Sequence, residues 1–415
     1  MKILDFTIKK KEGENFAINS GDKNKIHLDF IEGYNSHFGR NIVHGCYLII
    51  KFLKIINCNN VLSLEFEFIN AFFYDDLITV NQKKSNSDEY FFFQNDQLKG
   101  IARFNFKDEN FDKKKFNNII YKKNFIVNTH SNELKLSLML LSRYVGTYYP
   151  GKNSLITKIS IKQKNCYHLK KKKIYISSNK PDVRFPLIDN YLKSKKYNIF
   201  FQTSFRPKLK LQYKNFNNKK IKYIKELKKN VLIIGASNGI GHDLLNLIAK
   251  NDKIKIIATY NNNIIKLKKK NIIKLKIDVN RNIIKLKKII KDYSPMIIYY
   301  FATPKIDTLD SKRKKKLYEK FYITIPLRIL NFSKASENNF FYPSTTFIGK
   351  KVSDYVNTKI KAEKVLSNLG PNIKTVRLPE INTRQNLSLI TRKLPNFSDL
   401  LISDPKLIKK VFFLK

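Results

Sequence analysis

The stretch Phe16–Gly45 reads FAINSGDKNKIHLDFIEGYNSHFGRNIVHG and brings several chemically useful residues close together. Asp22 and His27 place a carboxylate and an imidazole five positions apart, directly after a Ser-Gly turn. At the end of the stretch, Gly45 opens an apolar run over 46–53 that predicts a helix. An acid and a base beside the free N–H groups of a helix start favour a proton-transfer site that stabilises an oxyanion.

The order S-G-D-x-N-x-x-H-x-D, followed by F-G-R-x-I-V-H-G, resembles the MaoC-like (R)-specific enoyl-thioester hydratases, which have the hot-dog fold. The resemblance implies that Asp22 and His27 position and activate water and that Asn24 helps to orient it. It also implies that the Gly45 amide stabilises the enolate-like oxygen. The reaction interconverts a trans-2-enoyl thioester and a 3-hydroxyacyl thioester.

The same residues have a structural interpretation. Asp22 can cap a turn, and His27 can be a satisfied histidine at a strand end. The complete motif favours catalysis for this pair. We expect His44 to be structural and to pack before the helix.

Residues 1–125 are predicted to form the catalytic hot-dog unit. Its N-terminus alternates like a strand, and a helix begins near Cys46. Lys107–Lys123 is interpreted as a connector rich in Lys, Asn and Asp. Alternating runs predict further strands at Val61–Phe68, Glu89–Phe93 and Gly100–Phe106.

Residues 126–210 repeat this pattern and are predicted to be a second hot-dog half. Leu134–Tyr144 has helical periodicity, and the segment Leu141–Gly151 resembles the second half of double hot-dog MaoC-like proteins. Because this half has no D-x-N-x-x-H, the resemblance implies a non-catalytic partner that completes the acyl pocket. Strands are predicted at Ser154–Ile161, Lys173–Ser178, Val183–Asp189 and Ile199–Phe205. The predicted fold class of this region is an α+β double hot-dog.

A Lys-rich linker at 211–229 leads into a region of different character at 230–415. Asn230–Ile234 is mostly apolar, as expected for a buried parallel strand, and it runs into the glycine-rich loop Gly235–Gly241. Strand-like and helical runs then alternate, which predicts an α/β doubly wound parallel sheet of the Rossmann type. The hexapeptide IIKLKK occurs at Ile264–Lys269 and again at Ile283–Lys288, and both copies are predicted to be helices.

The spacing G-x-x-x-G-x-G resembles the short-chain dehydrogenase/reductase family. The pair Asp278-Val279 matches the residues that hold the adenine in that family, and Tyr355 and Lys359 match its Y-x-x-x-K motif. Ser344 stands where the catalytic serine is expected, with Thr345 as the alternative. The cofactor-binding residues that the resemblance implies are Gly235, Ser237, Asn238, Gly239, Ile240, Gly241, Asp278, Val279, Ala302 and Thr383.

The chemistry explains this spacing. Tyr355 and Lys359 are four residues apart, so they share one face of a helix. The ammonium group is expected to lower the pKa of the phenol and to bind the nicotinamide ribose, while the phenol transfers a proton as hydride moves. Ser344 is expected to hold the substrate carbonyl.

Several positions depart from the family pattern. Phe301–Pro304 replaces the usual Asn-Asn-Ala-Gly, and the asparagine of the proton relay is not found in Phe321–Pro326. The segment after Tyr355 is short, which predicts a reduced substrate lid. Thr259–Asn262 lacks an acid for the ribose 2′-hydroxyl, so NADP is favoured over NAD.

The composition narrows the class of protein. With 81 basic and 33 acidic residues the net charge is +48, but the excess is mostly Lys, travels with Asn and Ile, and is spread along the chain. We therefore expect no nucleic-acid partner, although a basic surface favours an acidic carrier. The three scattered cysteines show no metal-binding spacing, so no metal is expected. Without a long apolar run or signal sequence, we expect a soluble cytoplasmic protein that does not bind membranes.

Together these features predict a bifunctional enzyme, whose second site interconverts 3-hydroxyacyl and 3-oxoacyl thioesters as an NAD(P)-dependent reductase. The product of one site is then the substrate of the other. The expected partners are an acyl-CoA or acyl carrier protein thioester and a second copy of the chain in a homodimer or other homo-oligomer. Two alternatives remain open. In the first, the reductase domain acts on an unrelated sugar or polyketide-like ketone. In the second, the chain is a basic binding protein with vestigial sites.

Overall fold

The computed structural model describes residues 2–36, 38–58, 60–84, 87–105, 118–126, 132–152, 154–164, 173–181, 187–204, 230–304, 311–333, 338–383 and 394–414. The described residues up to 204 belong to one compact unit, and those from 230 onward belong to a second. The predicted linker at 211–229 lies outside the described residues. Within the described part of the chain, no helix is both long and apolar enough to span a bilayer.

The first unit is a ten-stranded antiparallel sheet with helices. Its strands are β1 (Lys2–Thr7), β2 (Ser63–Phe68), β3 (Leu77–Gln82), β4 (Glu89–Gln94), β5 (Gln97–Phe104), β6 (Ile119–Ile126), β7 (Leu155–Gln163), β8 (Lys173–Asn179), β9 (Leu187–Lys193) and β10 (Tyr197–Ser204). Its helices are α1 (Lys10–Ser20), α2 (Lys25–Leu28), α3 (Phe30–Asn35), α4 (Gly45–Ile55) and α5 (Glu133–Arg143), the last followed by a π-helical turn at Tyr144–Tyr148.

The two halves of this sheet have the same strand order. The order β1-β3-β4-β5-β2 is followed across the sheet by β7-β10-β9-β8-β6, which is the same sequence of strands counted from the opposite edge. In each half a helix, α4 or α5, lies between the first and second strands along the chain. The halves join through β2 and β7, where Leu64 pairs with Ile161.

One hydrophobic core serves both halves. Cys46, Leu48, Ile49, Phe52 and Leu53 of α4 are buried, as the apolar run predicted. Buried residues of α5 and of strands in both halves belong to the same cluster, and α4 contacts α5. The two helices therefore share one core and bring their ends into a common region.

Three details of the first unit correct the sequence interpretation. The predicted connector at 107–123 contains the start of β6, which pairs with β8, so the boundary between the halves precedes Ile119 rather than following residue 125. Helix α1 and strand β3 were not predicted. The sequence of α1 has little apolar periodicity, and this is why the helix was not predicted. Its buried residues are Gly13, Phe16, Ala17 and Ser20.

The second unit is a six-stranded sheet flanked by helices. Its strands are β11 (Val231–Ile234), β12 (Ile256–Tyr260), β13 (Ile272–Lys276), β14 (Ile297–Tyr300), β15 (Asn339–Thr345) and β16 (Ile373–Leu378). Its helices are α6 (Gly239–Ile248), α7 (Ile283–Tyr293), α8 (Ser311–Glu319), α9 (Ile325–Phe332), α10 (Asp354–Ser367), α11 (Phe397–Ser403) and α12 (Pro405–Phe412), with a π-helical turn at Lys320–Thr324.

The six strands are parallel and have the order β13-β12-β11-β14-β15-β16. This is the 3-2-1-4-5-6 order of the Rossmann fold, so the predicted α/β doubly wound sheet is confirmed. Both faces are covered, and the central strands β11 and β14 are therefore wholly buried. The first IIKLKK copy corrects the prediction of two helices, since Ile264–Lys269 is a connection without regular secondary structure that buries Ile265. Only the second copy is helical, within α7.

Candidate functional sites

Asp22 lies directly after the left-handed turn that ends α1. Gly21 has a φ of 74°, a conformation that suits glycine, and it turns the chain so that Asp22 is 5% exposed. The Ser142 hydroxyl donates to Oδ2 of Asp22 at 2.7 Å, and the backbone N–H of Asn24 donates to Oδ1 at 2.9 Å. The buried carboxylate is thus held by one donor from its own loop and one from the second half of the sheet.

The π-helical turn of the second half fits closely around this loop. A Cβ atom on Gly146 would lie 1.9 Å from Oδ1 of Asp22, so only glycine leaves room for the carboxylate. The Thr147 hydroxyl donates to the Gly21 carbonyl and accepts from the Lys23 amide, both at 3.1 Å. The second half therefore forms part of the wall of the site.

The imidazole ring of His27 makes a hydrogen bond to a backbone carbonyl group. Its Nδ1 lies 2.9 Å from the Ile42 carbonyl oxygen, which can only accept, so Nδ1 carries the proton and Nε2 of the neutral ring has a free lone pair. Burial lowers the pKa of His27, while the nearby Asp22 charge and the Ile42 carbonyl oppose that change. The ring is therefore neutral and able to accept a proton at neutral pH.

Asn24 has a different environment from the one expected. Its amide nitrogen donates to the Ser154 carbonyl at 3.2 Å, and its amide oxygen caps α2 by accepting from the Ile26 N–H at 3.4 Å. One end of the side chain thus ties the loop to the second half, and the other end holds the backbone between Asp22 and His27. The water-orienting role that the resemblance implies stays a prediction.

His44 lies in the same cluster as Asp22 and His27. The ligand-type atoms of the three residues lie within 4.8 Å of one another, and all three side chains are buried. The rings of His27 and His44 are stacked, with centroids 3.9 Å apart and an interplanar angle of 26°. A shared metal ion would have to lie near the plane of each imidazole, and stacked rings do not meet that condition. The geometry therefore favours acid–base chemistry over metal coordination.

Gly45 is the first residue of α4, where N–H groups have no intrahelical partner. A Cβ atom at this position would lie 2.8 Å from Cζ of Phe68, so the close approach of that ring requires glycine. The Gly45 amide follows His44 directly, next to the Asp22 and His27 cluster. Its role with a substrate oxyanion stays a prediction.

In the second unit, the glycine-rich loop follows β11 at the carboxyl edge of the sheet. Gly235 and Gly239 have φ values of 86° and 57°, and a Cβ on Gly241 would lie 2.3 Å from the Gly235 carbonyl oxygen. Asn238 precedes α6, which begins at Gly239. The tight turn thus presents a helix N-terminus suited to a phosphate group. Ser237, Asn238 and Ile240 of the same loop are accessible.

Other predicted cofactor residues lie near this loop. A Cβ on Gly235 would meet the Ala302 amide nitrogen at 2.9 Å, and a Cβ on Gly239 would meet Cγ2 of Thr383 at 3.4 Å. Asp278 follows β13, and its carboxylate accepts from the backbone N–H of Asn280 at 2.9 Å. Val279 beside it is buried. The structure therefore places all ten predicted residues along the carboxyl edge of one sheet, where Rossmann domains bind their ligands.

Tyr355 interacts with Thr345 rather than with Ser344. Burial raises the pKa of Tyr355, and an interaction with the Thr345 hydroxyl opposes that rise. Ser344 lies instead beside Glu363: burial raises the pKa of that carboxyl, but Arg377 and the nearby Ser344 bring it below its ordinary value. Thr345, the alternative from the sequence, is therefore the hydroxyl residue beside Tyr355, and its role with a substrate oxygen stays a prediction.

Lys359 is buried and bonds to backbone and tyrosine groups. Its Nζ donates to the Pro343 carbonyl at 2.7 Å and to the Tyr342 hydroxyl at 3.1 Å, and lies over the rings of Tyr322 and Tyr342 at 4.1 and 4.3 Å. Burial lowers the pKa of Lys359 to about 7, although the Glu363 charge acts in the opposite direction. The expected lowering of the Tyr355 pKa by Lys359 is wrong, because the ammonium group is turned toward Tyr342.

Tyr342 also contacts the π-helical turn where the family asparagine was sought. Its hydroxyl group donates to the Tyr322 carbonyl at 3.1 Å while it accepts from Lys359. The neighbouring Phe321 carbonyl accepts from the Tyr300 hydroxyl at 2.7 Å. A hydrogen-bonded chain therefore runs from Lys359 through Tyr342 to a carbonyl of the turn in which the relay asparagine is not found.

The comparisons with known proteins concern the fold. No protein-family model and no curated protein matches the sequence. Among solved structures, a short-chain dehydrogenase from Burkholderia cenocepacia in complex with NADP is 11% identical, with a TM-score of 0.35 over 45% of this chain and 98% of that one. The Bordetella bronchiseptica enzyme WbmH in complex with NAD+ is 16% identical, with a TM-score of 0.32 over 37% and 56% of the two chains.

A UDP-glucose 4-epimerase from Thermotoga maritima with UDP-glucose is 15% identical, with a TM-score of 0.31 over 36% of this chain and 54% of that one. The chain thus spans just over half the length of this epimerase and of WbmH. For the second unit, the Rossmann assignment rests on its own strand order and glycine-rich loop.

The structure adds residues that the sequence interpretation did not select. Ser142 and Gly146 lie in the segment quoted for its family resemblance, but nothing local connects them with a carboxylate about 120 positions earlier. Tyr342 was not selected from the sequence either. For Ser142 and Gly146, the repeated helix-and-strand pattern was the available signal, because two similar halves that join side by side bring α4 and α5 together.

Proposed function

We propose that this chain is a bifunctional acyl-thioester enzyme. The first unit interconverts trans-2-enoyl and 3-hydroxyacyl thioesters, and the second interconverts 3-hydroxyacyl and 3-oxoacyl thioesters with a nicotinamide cofactor. The observation that carries the proposal is the buried pair of Asp22 and His27 at the start of α4, held by Ser142 from the other half of the sheet. The repeated strand order, with a helix in each half, supports a double hot-dog architecture.

Hydration in the first unit follows from these contacts. Water is held between Asp22 and Nε2 of His27, its oxygen bonds to C3, and its proton passes to Nε2. The C2–C3 π electrons move toward the thioester oxygen, where the Gly45 amide stabilises the charge. The imidazolium of His27 then gives that proton to C2, so one water molecule is added overall and the ring is neutral again. Because burial holds the pKa of His27 below its ordinary value, hydration should persist at neutral pH and fall only in acid, where the base becomes protonated.

The second unit is proposed to bind NADP in preference to NAD. The loop at Gly235–Gly241 would hold the pyrophosphate, and the end of β12 with the residues that follow it, Thr259 to Asn263, includes no carboxylate to pair with a ribose 2′-hydroxyl. The cofactor supplies hydride chemistry when it is bound. Thr345 would hold the substrate oxygen, Tyr355 would exchange its proton, and Lys359 would stabilise the charge beside them.

A coupled assay tests both activities. Purified protein is given trans-2-butenoyl-CoA and NADP, and the enoyl absorbance and reduced cofactor are followed together. Asp22→Asn should abolish both signals, whereas Tyr355→Phe should abolish only cofactor reduction. If wild-type protein consumes neither CoA nor acyl-carrier thioesters, the hydratase proposal is wrong. Hydration without cofactor reduction on any 3-hydroxyacyl thioester would instead favour an unrelated ketone for the second unit.

A further inference from the structure

His44 was expected to be structural, but its environment leaves one nitrogen without a protein partner. The side chain is 1% exposed, and Nε2 makes no hydrogen bond to any protein atom. A buried polar atom without a partner costs free energy comparable to a lost hydrogen bond. The His44 side chain that carries this nitrogen belongs to one buried cluster with the carboxylate of Asp22 and the ring of His27.

Tyr74 fixes the tautomer of His44. The Tyr74 oxygen lies 2.9 Å from Nδ1 of His44. Burial raises the pKa of Tyr74 and the backbone N–H of His44 opposes that rise, so this N–H also lies beside the oxygen. The buried hydroxyl proton needs an acceptor, and Nδ1 of His44 is at hydrogen-bond distance from it. Nδ1 is therefore the acceptor, and the proton of the neutral ring is on Nε2.

The position of Tyr74 is itself tightly determined. A Cβ on Gly13 would lie 2.2 Å from the Tyr74 oxygen, so α1 leaves room for the phenol only at a glycine. The Arg40 guanidinium donates to the Tyr74 carbonyl at 2.6 Å and to both carboxylate oxygens of Asp76 at 3.0 Å. The tyrosine is thus held from two sides, and the tautomer of His44 is held with it.

His27 and His44 are consequently complementary. His27 presents a lone pair at Nε2, because its Nδ1 proton bonds to Ile42. The stacked ring of His44 presents an N–H at the same cluster, and burial together with the neighbouring His27 keeps the pKa of His44 well below its usual value. One ring accepts a proton, and the other can only donate a hydrogen bond.

We infer that Nε2–H of His44 is a further functional group of the site, which donates a hydrogen bond to the carbonyl oxygen of the bound thioester beside the Gly45 amide. The inference rests on the proposed hydratase function and gives the developing enolate a second donor. His44 and Gly45 are consecutive at the start of α4, so a side-chain donor and a backbone donor reach the substrate from one helix terminus.

Two substitutions separate this role from a structural one. His44→Asn keeps a group near the Nδ1 position for Tyr74 and removes the Nε2 donor, whereas His44→Gln keeps a donor near the Nε2 position. With trans-2-butenoyl-CoA, we expect His44→Asn to lower kcat about 100-fold with little change in KM, as for loss of an oxyanion donor. His44→Gln should lose less than about tenfold. Thermal unfolding of both variants reports on folding.

A measurement without substrate checks the tautomer directly. In wild-type protein with ¹⁵N-labelled histidine, long-range ¹H–¹⁵N NMR at pH 7 should show the proton of His44 on Nε2 and that of His27 on Nδ1. Tyr74→Phe should mix the two His44 tautomers and lower kcat, which keeps the test valid if His44→Asn does not fold.

Each outcome bears on one of the two proposals. A proton on Nδ1 of His44, or a wild-type kcat in a folded His44→Asn protein, would overturn the donor role, while loss of activity in Asp22→Asn would still support the hydratase. If wild-type protein hydrates no thioester although the tautomers are as expected, the proposed reaction is wrong and the assignment to a thioester oxygen falls with it.

Discussion

At the scale of single residues, Gly146 is where the two halves of the first unit meet most closely. Alanine there would place a Cβ 1.9 Å from Oδ1 of Asp22, so the carboxylate or the π-helical turn must move. Because a misplacement of about 1 Å costs roughly 100-fold in rate, Gly146→Ala should lower kcat for hydration of trans-2-butenoyl-CoA by about that factor. The measurement is the rate of loss of enoyl absorbance.

Gly100→Ala is the matched control for this prediction. Its added Cβ would lie 2.8 Å from Cε1 of Phe66, an overpacked contact within β5 and β2 that does not involve Asp22. We expect this variant to unfold at a lower temperature and to keep most of its hydration rate. Equal losses of activity in the two variants would show that Gly146 acts through general packing.

Lys359 gives a prediction about pH and stability. Burial lowers its pKa from 10.5 to about 7, so between these values the unfolded chain binds more protons and stability rises with pH. Below about pH 7 the charged amine is buried in full. Lys359→Met should therefore stabilise the protein at pH 6, by on the order of 2 kcal/mol, and much less at pH 9. Thermal unfolding at both pH values measures the difference.

An arginine at the same position is the control. Because a guanidinium does not lose its proton in this range, Lys359→Arg should be less stable than wild type at pH 9 and should lack the rise with pH. If Lys359→Met gains equally at pH 6 and pH 9, the amine is not the source of the pH dependence.

At the scale of elements, local patterns were enough for much of the fold. The apolar runs predicted α4, α5 and the strands of the Rossmann sheet, because burial on one face or on both imposes a period on the sequence. The identical copies of IIKLKK show the limit. The second copy extends into an eleven-residue helix that buries Leu286 and Ile290, whereas the first lies in a short connection between β12 and β13.

The candidate sites show the same difference between residues that a local pattern reveals and residues that distant segments contribute. Asp22 and His27 were found because they lie five residues apart in a recognisable motif, whereas Ser142 and Gly146 reach them through the pairing of the two halves. In the second unit, the sequence named Ser344 with Thr345 as the alternative, and the structure places Thr345 beside Tyr355 and Ser344 beside Glu363. Contacts between distant segments depend on register, which spacing alone does not determine.

The π-helical turn at Tyr144–Tyr148 gives a prediction at this scale. The Thr147 hydroxyl bonds both the carbonyl of Gly21 and the amide of Lys23, so it fastens the loop that carries Asp22. Thr147→Val has nearly the same shape but leaves both backbone groups without this partner. We expect a loss of about 1–2 kcal/mol in loop stability and roughly tenfold in hydration rate. Thr147→Ser keeps the hydroxyl group and should retain wild-type activity, and two equally impaired variants would contradict this role.

At the scale of the whole molecule, the first unit repeats one topology with unequal halves. Each half has five strands in the same order and a central helix, but only the first carries the Asp22 and His27 pair. The second half contributes Ser142, Gly146 and Thr147 to that pair. Such an arrangement is consistent with a site that needs both halves and therefore needs them in one chain.

The two compact units also allow a test of how the proposed activities are connected. Each unit has its own core, and the candidate groups of each site come from that unit alone. An equimolar mixture of Asp22→Asn and Tyr355→Phe proteins should therefore restore conversion of trans-2-butenoyl-CoA to the 3-oxoacyl product. Because the 3-hydroxyacyl intermediate must pass through solution, reduced cofactor should appear after a lag that shortens as protein concentration rises. Each variant alone supplies the control, and a mixture that stays inactive would show that the two sites work only within one intact chain.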